Sequence, residues 1–230
     1  MSQSDSRIKH NLRNVRGRIS SALSRAGRPE QSAQLIAVSK KFSGELVREA
    51  HESGQIHFGE NYVQEAIPKI DELSDLPLEW HFIGPIQSNK TGQIAAKFDW
   101  VHSVDRLKIA QRLSSGRLGS PYPLKVCLQV NITGEESKQG CRIADLAELA
   151  HLVRQLPYLE LRGLMTMPQI NASDQDTVDI FRRLSQLKDK LNEDVFQLDV
   201  LSMGMSDDLE IGIQEGATFV RIGRGIFGDR

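Results

Sequence analysis

Eight short strand-like runs punctuate this 230-residue chain, and an amphipathic run separates each from the next. The strand-like runs are 35–40, 57–61, 79–85, 100–105, 124–131, 161–167, 198–204 and 219–223. Between them, helix-like spacing covers about 43–54, 62–73, 88–97, 106–113, 143–156, 177–191 and 206–214. Ser43, Ser88 and Ser206 stand where N-caps are expected, and Gly54 and Gly216 where helices stop. Strands that alternate with helices pair in parallel, because each crossover returns the chain to the same end of the sheet. Eight such units predict an α/β fold closed as a single (β/α)8 TIM barrel, with an open doubly wound sheet as the alternative. No linker or break in composition divides the chain, so residues 1–230 read as one domain.

The segment before the first strand is an extra helix. Ile8, Leu12, Val15, Ile19 and Leu23 share one face, with six basic residues around them. A transit peptide or a nucleic-acid patch has this composition too. The regular stripe and the stop at Gly27-Arg28-Pro29 favour a helix packed on the barrel within residues 1–28. The net charge of −1 gives the whole chain no attraction for polyanions, so no nucleic-acid partner is expected. No apolar span is long enough for a membrane helix. Cys127 and Cys141 form no CxxC, and a reduced, cytoplasmic setting is expected. The histidines show no metal-ligand spacing, so no metal is expected.

Barrel chemistry sits at the carboxyl ends of strands. The first run, Leu35-Ile36-Ala37-Val38-Ser39-Lys40, ends in an amine. Two readings are open: a lysine that leaves the sheet for water, or a desolvated amine that forms a Schiff base with an aldehyde. Later ends bring Asn61, Asn131, Ser202 to Ser206, and the glycine-rich Gly223-Arg224-Gly225. Loops after the last two barrel strands commonly hold phosphate. Asp207 and Glu210 have capping-box spacing and satisfy the helix after Ser206, so the eighth-strand loop is expected to hold the anion, with the Ser206 hydroxyl assisting. The run 223–228 matches GxGxxG, but no helix and no following strand are expected to complete a βαβ unit there, so a dinucleotide fingerprint is not expected. Arg221 alternates with Val220 and Ile222. If Ile222 packs outward, Arg221 points into the barrel and needs an acceptor there.

Several segments together resemble one family. They are Ala37-Val38-Ser39-Lys40, Phe58-Gly59-Glu60-Asn61, Trp80-His81-Phe82-Ile83-Gly84-Pro85, Arg162-Gly163-Leu164-Met165, Leu201-Ser202-Met203-Gly204-Met205-Ser206 and Val220-Arg221-Ile222-Gly223. This set, spread from about Ile8 to Gly228, resembles the YggS/PROSC family of pyridoxal-phosphate homeostasis proteins. The resemblance implies a fold-type III barrel like that of alanine racemase, with pyridoxal 5'-phosphate held by Lys40 as an internal aldimine. It also implies Asn61 and His81 near the cofactor, Ser206, Gly223 and Arg224 at the phosphate, Arg221 at the pyridine nitrogen, and Met203 against the ring. Arg224 stands where relatives are expected to carry a small hydroxyl residue. Lys41 is a second amine, which strand alternation turns away. Lys138, in the loop 136–140, is a third, read as a solvated loop lysine.

The cofactor leaves carrier and enzyme to be distinguished. Pyridoxal phosphate is a strong electron sink when its ring nitrogen is protonated. A permanent cation at Arg221 opposes that. Racemisation needs acid–base groups on both faces of the substrate, and no racemase-type second domain is read here. The expected function is therefore a carrier and buffer of pyridoxal phosphate, without turnover of its own. It would serve apo enzymes that use the cofactor, with a monomer as the default state. The alternatives are a weak amino-acid racemase and a Schiff-base aldolase acting on a phosphorylated sugar.

Overall fold

A computed structural model describes residues 6–135, 138–169 and 172–228. Among these, nine strands occur: β1 (Gln34–Val38), β2 (His57–Glu60), β3 (Glu79–Phe82), β4 (Trp100–Val104), β5 (Leu124–Asn131), β6 (Cys141–Arg142), β7 (Leu159–Met165), β8 (Val200–Ser202) and β9 (Phe219–Ile222). The helices are α1 (Arg7–Arg25), α2 (Gly44–Glu52), α3 (Val63–Glu72), α4 (Thr91–Lys97), α5 (Leu107–Gly116), α6 (Leu146–Arg154), α7 (Asp174–Asn192), α8 (Leu209–Gln214) and α9 (Arg224–Phe227). All strand pairs are parallel. The order β4-β3-β2-β1-β9-β8-β7-β5, with β4 also paired to β5, closes an eight-stranded barrel. β6 is a two-residue addition on the edge of β5. The expected (β/α)8 barrel is thus the observed fold, and the open sheet is excluded.

Alternation along each strand divides the core into two layers. Ile36, Trp100, Cys127, Met165, Val200 and Phe219 form a compact cluster inside the barrel. The residues between them, such as Ala37, Val101, Leu128, Leu201, Val220 and Ile222, belong to the larger core under the helices. Because Val220 and Ile222 pack outward, Arg221 points inward, as the sequence parity requires.

α1 is a packed element. Its stripe of Ile8, Leu12, Val15, Ile19, Ala22 and Leu23 is buried. Its polar face reaches the barrel: the Arg16 guanidinium donates to the Ser53 carbonyl at 2.8 Å, and Arg18 donates to the Ser206 carbonyl and to both carboxylate oxygens of Glu210. Several basic side chains that could have suggested a targeting signal or a nucleic-acid patch are thus engaged within the fold.

Capping differs from expectation in detail. α8 begins at Leu209 with Asp208 as its N-cap, and the Asp208 carboxylate accepts from the Met205 N–H. The Asp207–Glu210 pairing gives way to this bond, which draws the chain back toward the loop after β8. A full capping box occurs instead at α7, between Ser173 and Asp176. The 223–228 run contains a short helix, α9, which the sequence reading left out.

Candidate functional site

Lys40 lies just past β1, on a turn that fixes its direction. The Phe42 N–H closes the turn onto the Ser39 carbonyl at 3.0 Å, and Lys41 takes φ +66° at its third position. The Lys41 N–H donates to Glu65 of α3 at 3.1 Å. The turn, rather than continued strand alternation, separates the two lysines: Lys40 is half-buried and Lys41 is exposed. Phe42 of the same turn stacks on Phe227 of α9, with ring centroids 5.0 Å apart. The lysine turn and the last glycine-rich loop therefore pack on each other.

A buried ion pair stands behind the turn. Lys69 of α3 donates to Glu60 Oε1 at 2.6 Å and to the Ser39 carbonyl at 2.8 Å. The Ser39 hydroxyl donates to the same carboxylate oxygen at 2.7 Å. Burial pushes the Glu60 carboxyl up, against the opposing pull of Lys69 and Ser39. Glu60 points outward from the barrel, so it braces the residue before Lys40 and leaves the mouth to others.

Asn61 follows β2 and is packed from the side. A side chain at Gly84 would place its Cβ 2.2 Å from the Asn61 carbonyl oxygen, so only glycine allows this approach. Asn61 Oδ1 is buried and has no hydrogen-bond partner among the described residues. An unpartnered buried acceptor just past the end of a barrel strand is available to a ligand.

Arg221 is the central cation. It is 4% exposed. Its Nη1 donates to Ser202 Oγ at 2.7 Å and its Nη2 to the Thr166 carbonyl at 3.1 Å. Both acceptors are neutral, and among the described residues no carboxylate lies within ion-pair distance of it. Burial lowers its pKa to about 10, so it stays protonated at neutral pH. Ala37 is in register with Ile222, so Gly223 lies beside Val38, two residues before Lys40. Arg224 follows, exposed, at the start of α9. Ser206, half-exposed, is reached from α1 through Arg18. At Gly204 φ is +91°, and its carbonyl accepts from the Arg221 N–H at 2.9 Å, which ties the β8 loop to β9.

The carboxyl mouth thus gathers Lys40, Asn61, Ser206, Arg221, Gly223 and Arg224. Two other expected residues sit elsewhere. Met203 is fully buried in the core between strands and helices, because outward parity after Val200 and Ser202 places it there. His81 is fully buried inside the barrel, one residue before the end of β3. Both its ring nitrogens are engaged, Nε2 with His57 Nδ1 at 3.0 Å and Nδ1 with His102 Nε2 at 2.9 Å. His102 Nδ1 meets Ser202 Oγ at 2.8 Å. Three histidines and a serine therefore form a chain that ends on Arg221, and burial holds their imidazoles below the usual range, His102 at about 3. Lys138 pairs with Glu135 and Thr133 in its loop, of which residues 136 and 137 lie outside the described set.

The alanine racemase N-terminal domain model matches residues 4–230. A curated relative from Pseudomonas aeruginosa, called pyridoxal phosphate homeostasis protein, is 56% identical over 98% of this chain and 96% of its own length. The solved structure of PipY from Synechococcus elongatus without PLP is 38% identical, with a TM-score of 0.86, and covers 96% of this chain and 100% of that one. PipY with PLP bound is 40% identical over 91% of this chain and 100% of its own, with a TM-score of 0.80. Alanine racemase of Clostridium difficile shares the fold at 16% identity and a TM-score of 0.75, covering 96% of this chain and 57% of that one. This chain belongs to the alanine racemase N-terminal domain family and, within it, to the family of the pyridoxal phosphate homeostasis proteins.

Proposed function

We propose that this chain binds pyridoxal 5'-phosphate at the carboxyl mouth of its barrel and takes part in keeping the free cofactor low, without turning over a substrate. The observation that carries the reading is Arg221, a buried cation whose hydrogen-bond acceptors are both neutral. The residues fit the cofactor: Lys40 offers an amine, Asn61 an unpartnered acceptor, and Gly223, Arg224 and Ser206 a polar loop for the phosphate. When bound, pyridoxal phosphate supplies an aldehyde and a pyridine ring that withdraws electrons most strongly when its nitrogen is protonated. Arg221 would offer that nitrogen hydrogen-bond donors while keeping its own proton, and so would hold the ring and leave the sink weak. The three tyrosines, candidates for proton transfer, are all exposed: Tyr62 flanks Asn61, while Tyr122 and Tyr158 precede β5 and β7 at the opposite end. Among the described residues no helix is long and apolar enough to cross a membrane. In this reading the chain is a monomer that hands the cofactor to apo enzymes in a reducing cytoplasm, where the buried Cys127 and Cys141 stay free thiols.

The test is a visible spectrum of the unmutated chain and of Lys40→Ala, each with added pyridoxal phosphate. A band that borohydride bleaches, absent in Lys40→Ala, is expected. Survival of the band in that variant would move the attachment to Lys41 or Lys138, and its absence from the unmutated chain would reject the cofactor. Steady exchange of solvent deuterium into an amino-acid α-carbon by the loaded protein would replace the carrier with a racemase-type enzyme.

A further inference from the structure

The other end of the barrel carries a second constellation. His57 opens β2, Glu79 opens β3, and His81 stands two residues further along β3. These positions share inward parity on neighbouring strands, with His57 in register with Glu79. Their donor atoms, one per residue, all lie within 4.8 Å of one another. His57 Nδ1 is 3.0 Å from His81 Nε2 and 3.7 Å from Glu79 Oε2. Ligands around a tetrahedral zinc ion stand about 3.3–3.4 Å apart, given bonds of about 2.0–2.1 Å. The set brackets that spacing.

We propose that His57, Glu79 and His81 form a site for a divalent transition-metal ion, with Zn²⁺ best suited to two imidazoles and one carboxylate. The site faces outward through His57 and Glu79, whose side chains are 18% and 38% exposed, while His81 closes it from inside. Ligand orientation is already provided. The Trp100 indole N–H donates to Glu79 Oε2 at 2.9 Å and fixes the carboxylate. His81 turns its other nitrogen to His102, and His102 turns its own to Ser202, the outer-shell support that metal-bound histidines use. Lys125, 3.7 Å from Glu79 Oε2, is the competing cation that the metal must displace.

Proton positions make the proposal specific. Arg221 donates to Ser202 Oγ, whose hydroxyl proton is free to point at His102 Nδ1. In that arrangement each imidazole donates from Nε2: His102 to His81, and His81 to His57. A metal ion needs the lone pairs of His57 Nδ1 and His81 Nε2 together. His81 must then carry its proton on Nδ1, and His102 must do the same, donating to Ser202. The proton count of the histidines is unchanged; two protons change places within their rings.

The experiment titrates the full chain, dialysed free of small molecules, with Zn²⁺ against a chromophoric chelator. Histidine ¹⁵N NMR is recorded before and after. One Zn²⁺ per chain is expected, with affinity at least about tenfold weaker in both His57→Gln and Glu79→Gln and stronger in Lys125→Met. Glu79→Gln keeps an acceptor for Trp100, so it separates lost ligation from lost folding. The protonated nitrogen of His81 and His102 should switch from Nε2 to Nδ1 on Zn²⁺ addition. Failure of the unmutated chain to take Zn²⁺ from the chelator, equal binding in His57→Gln, or binding with His81 still protonated on Nε2 would each overturn the site.

Discussion

Lys69→Met should expose how the lysine turn is held. The substitution keeps a buried chain of similar volume and removes two hydrogen bonds, one to Glu60 and one to the Ser39 carbonyl. Glu60 is 0% exposed and Lys69 6%, so solvent screens neither. Stranding one partner of such a pair costs about 3–5 kcal/mol, which for a chain of this size lowers the melting temperature by roughly 6–20 °C. The pH dependence carries the sign. The Glu60 carboxyl is raised in the fold above its ordinary 4.5, so the native state binds the extra proton, and stability falls as pH rises from there through the folded value. Lys69 opposes that rise; without it the carboxyl climbs further. The variant's deficit should therefore be larger at pH 8 than at pH 5. Urea unfolding followed by fluorescence of the buried Trp80 and Trp100 measures both. Adding Glu60→Gln to Lys69→Met should recover most of the loss, since no charge is then stranded. A deficit below about 1 kcal/mol, or no recovery in the double variant, would refute the claim that this pair braces the turn.

Two further outcomes follow from the same geometry. Gly84→Ala would drive a Cβ into the Asn61 carbonyl and should weaken pyridoxal phosphate binding while leaving the Lys40 attachment intact; unchanged affinity in a dialysis titration would remove Asn61 from the site. Acidification should also destabilise the fold through the histidine chain. His57, His81 and His102 have folded values below the ordinary 6.5, so the unfolded state binds protons first, and stability present above 6.5 is lost as pH falls. Between pH 6.5 and 5 the loss should exceed about 1.4 kcal/mol per pH unit once more than one imidazole contributes. His102→Asn should reduce that slope by one proton, and an unchanged slope would contradict the burial argument.

Much of the barrel was legible because its signal is local. Runs such as 35–40, 79–85 and 124–131 carry β-branched or aromatic residues, and the runs between strands carry helical stripes. Arg221 was readable from Val220 and Ile222 alone, since alternation decides its side. Helix starts were harder: Ser43, Ser88 and Ser206 all fit a cap, but Asp208 took the α8 position once its carboxylate bonded Met205. Lys69 escaped notice because a lysine on a helix face ordinarily meets water, and only the packing of α3 over β1 and β2 shows its buried partner. The histidine chain escaped for a different reason. His57, His81 and His102 are far apart in sequence and match no ligand spacing; register between three strands brings them together. Carrying inward parity upstrand from Lys40 to its neighbours would have found them. The same parity places Met203 outside the barrel.

The packing of α1 has a consequence for synthesis. Asn11 bonds the Ile226 carbonyl, 215 residues away, and Arg18 and Arg28 bond residues 185 to 192 positions downstream. At about 5–20 residues per second, a ribosome needs roughly 10–40 s between making this helix and making the residues that bury it. Throughout that interval α1 has only its early neighbours, α2 and the residues just after it, and β1 lacks β9. Nascent chains arrested before Leu209 should be cut readily by protease within α1, and chains released with residue 228 should resist. Closure of this barrel thus waits until residues 209–228 have been made, when late residues capture early ones.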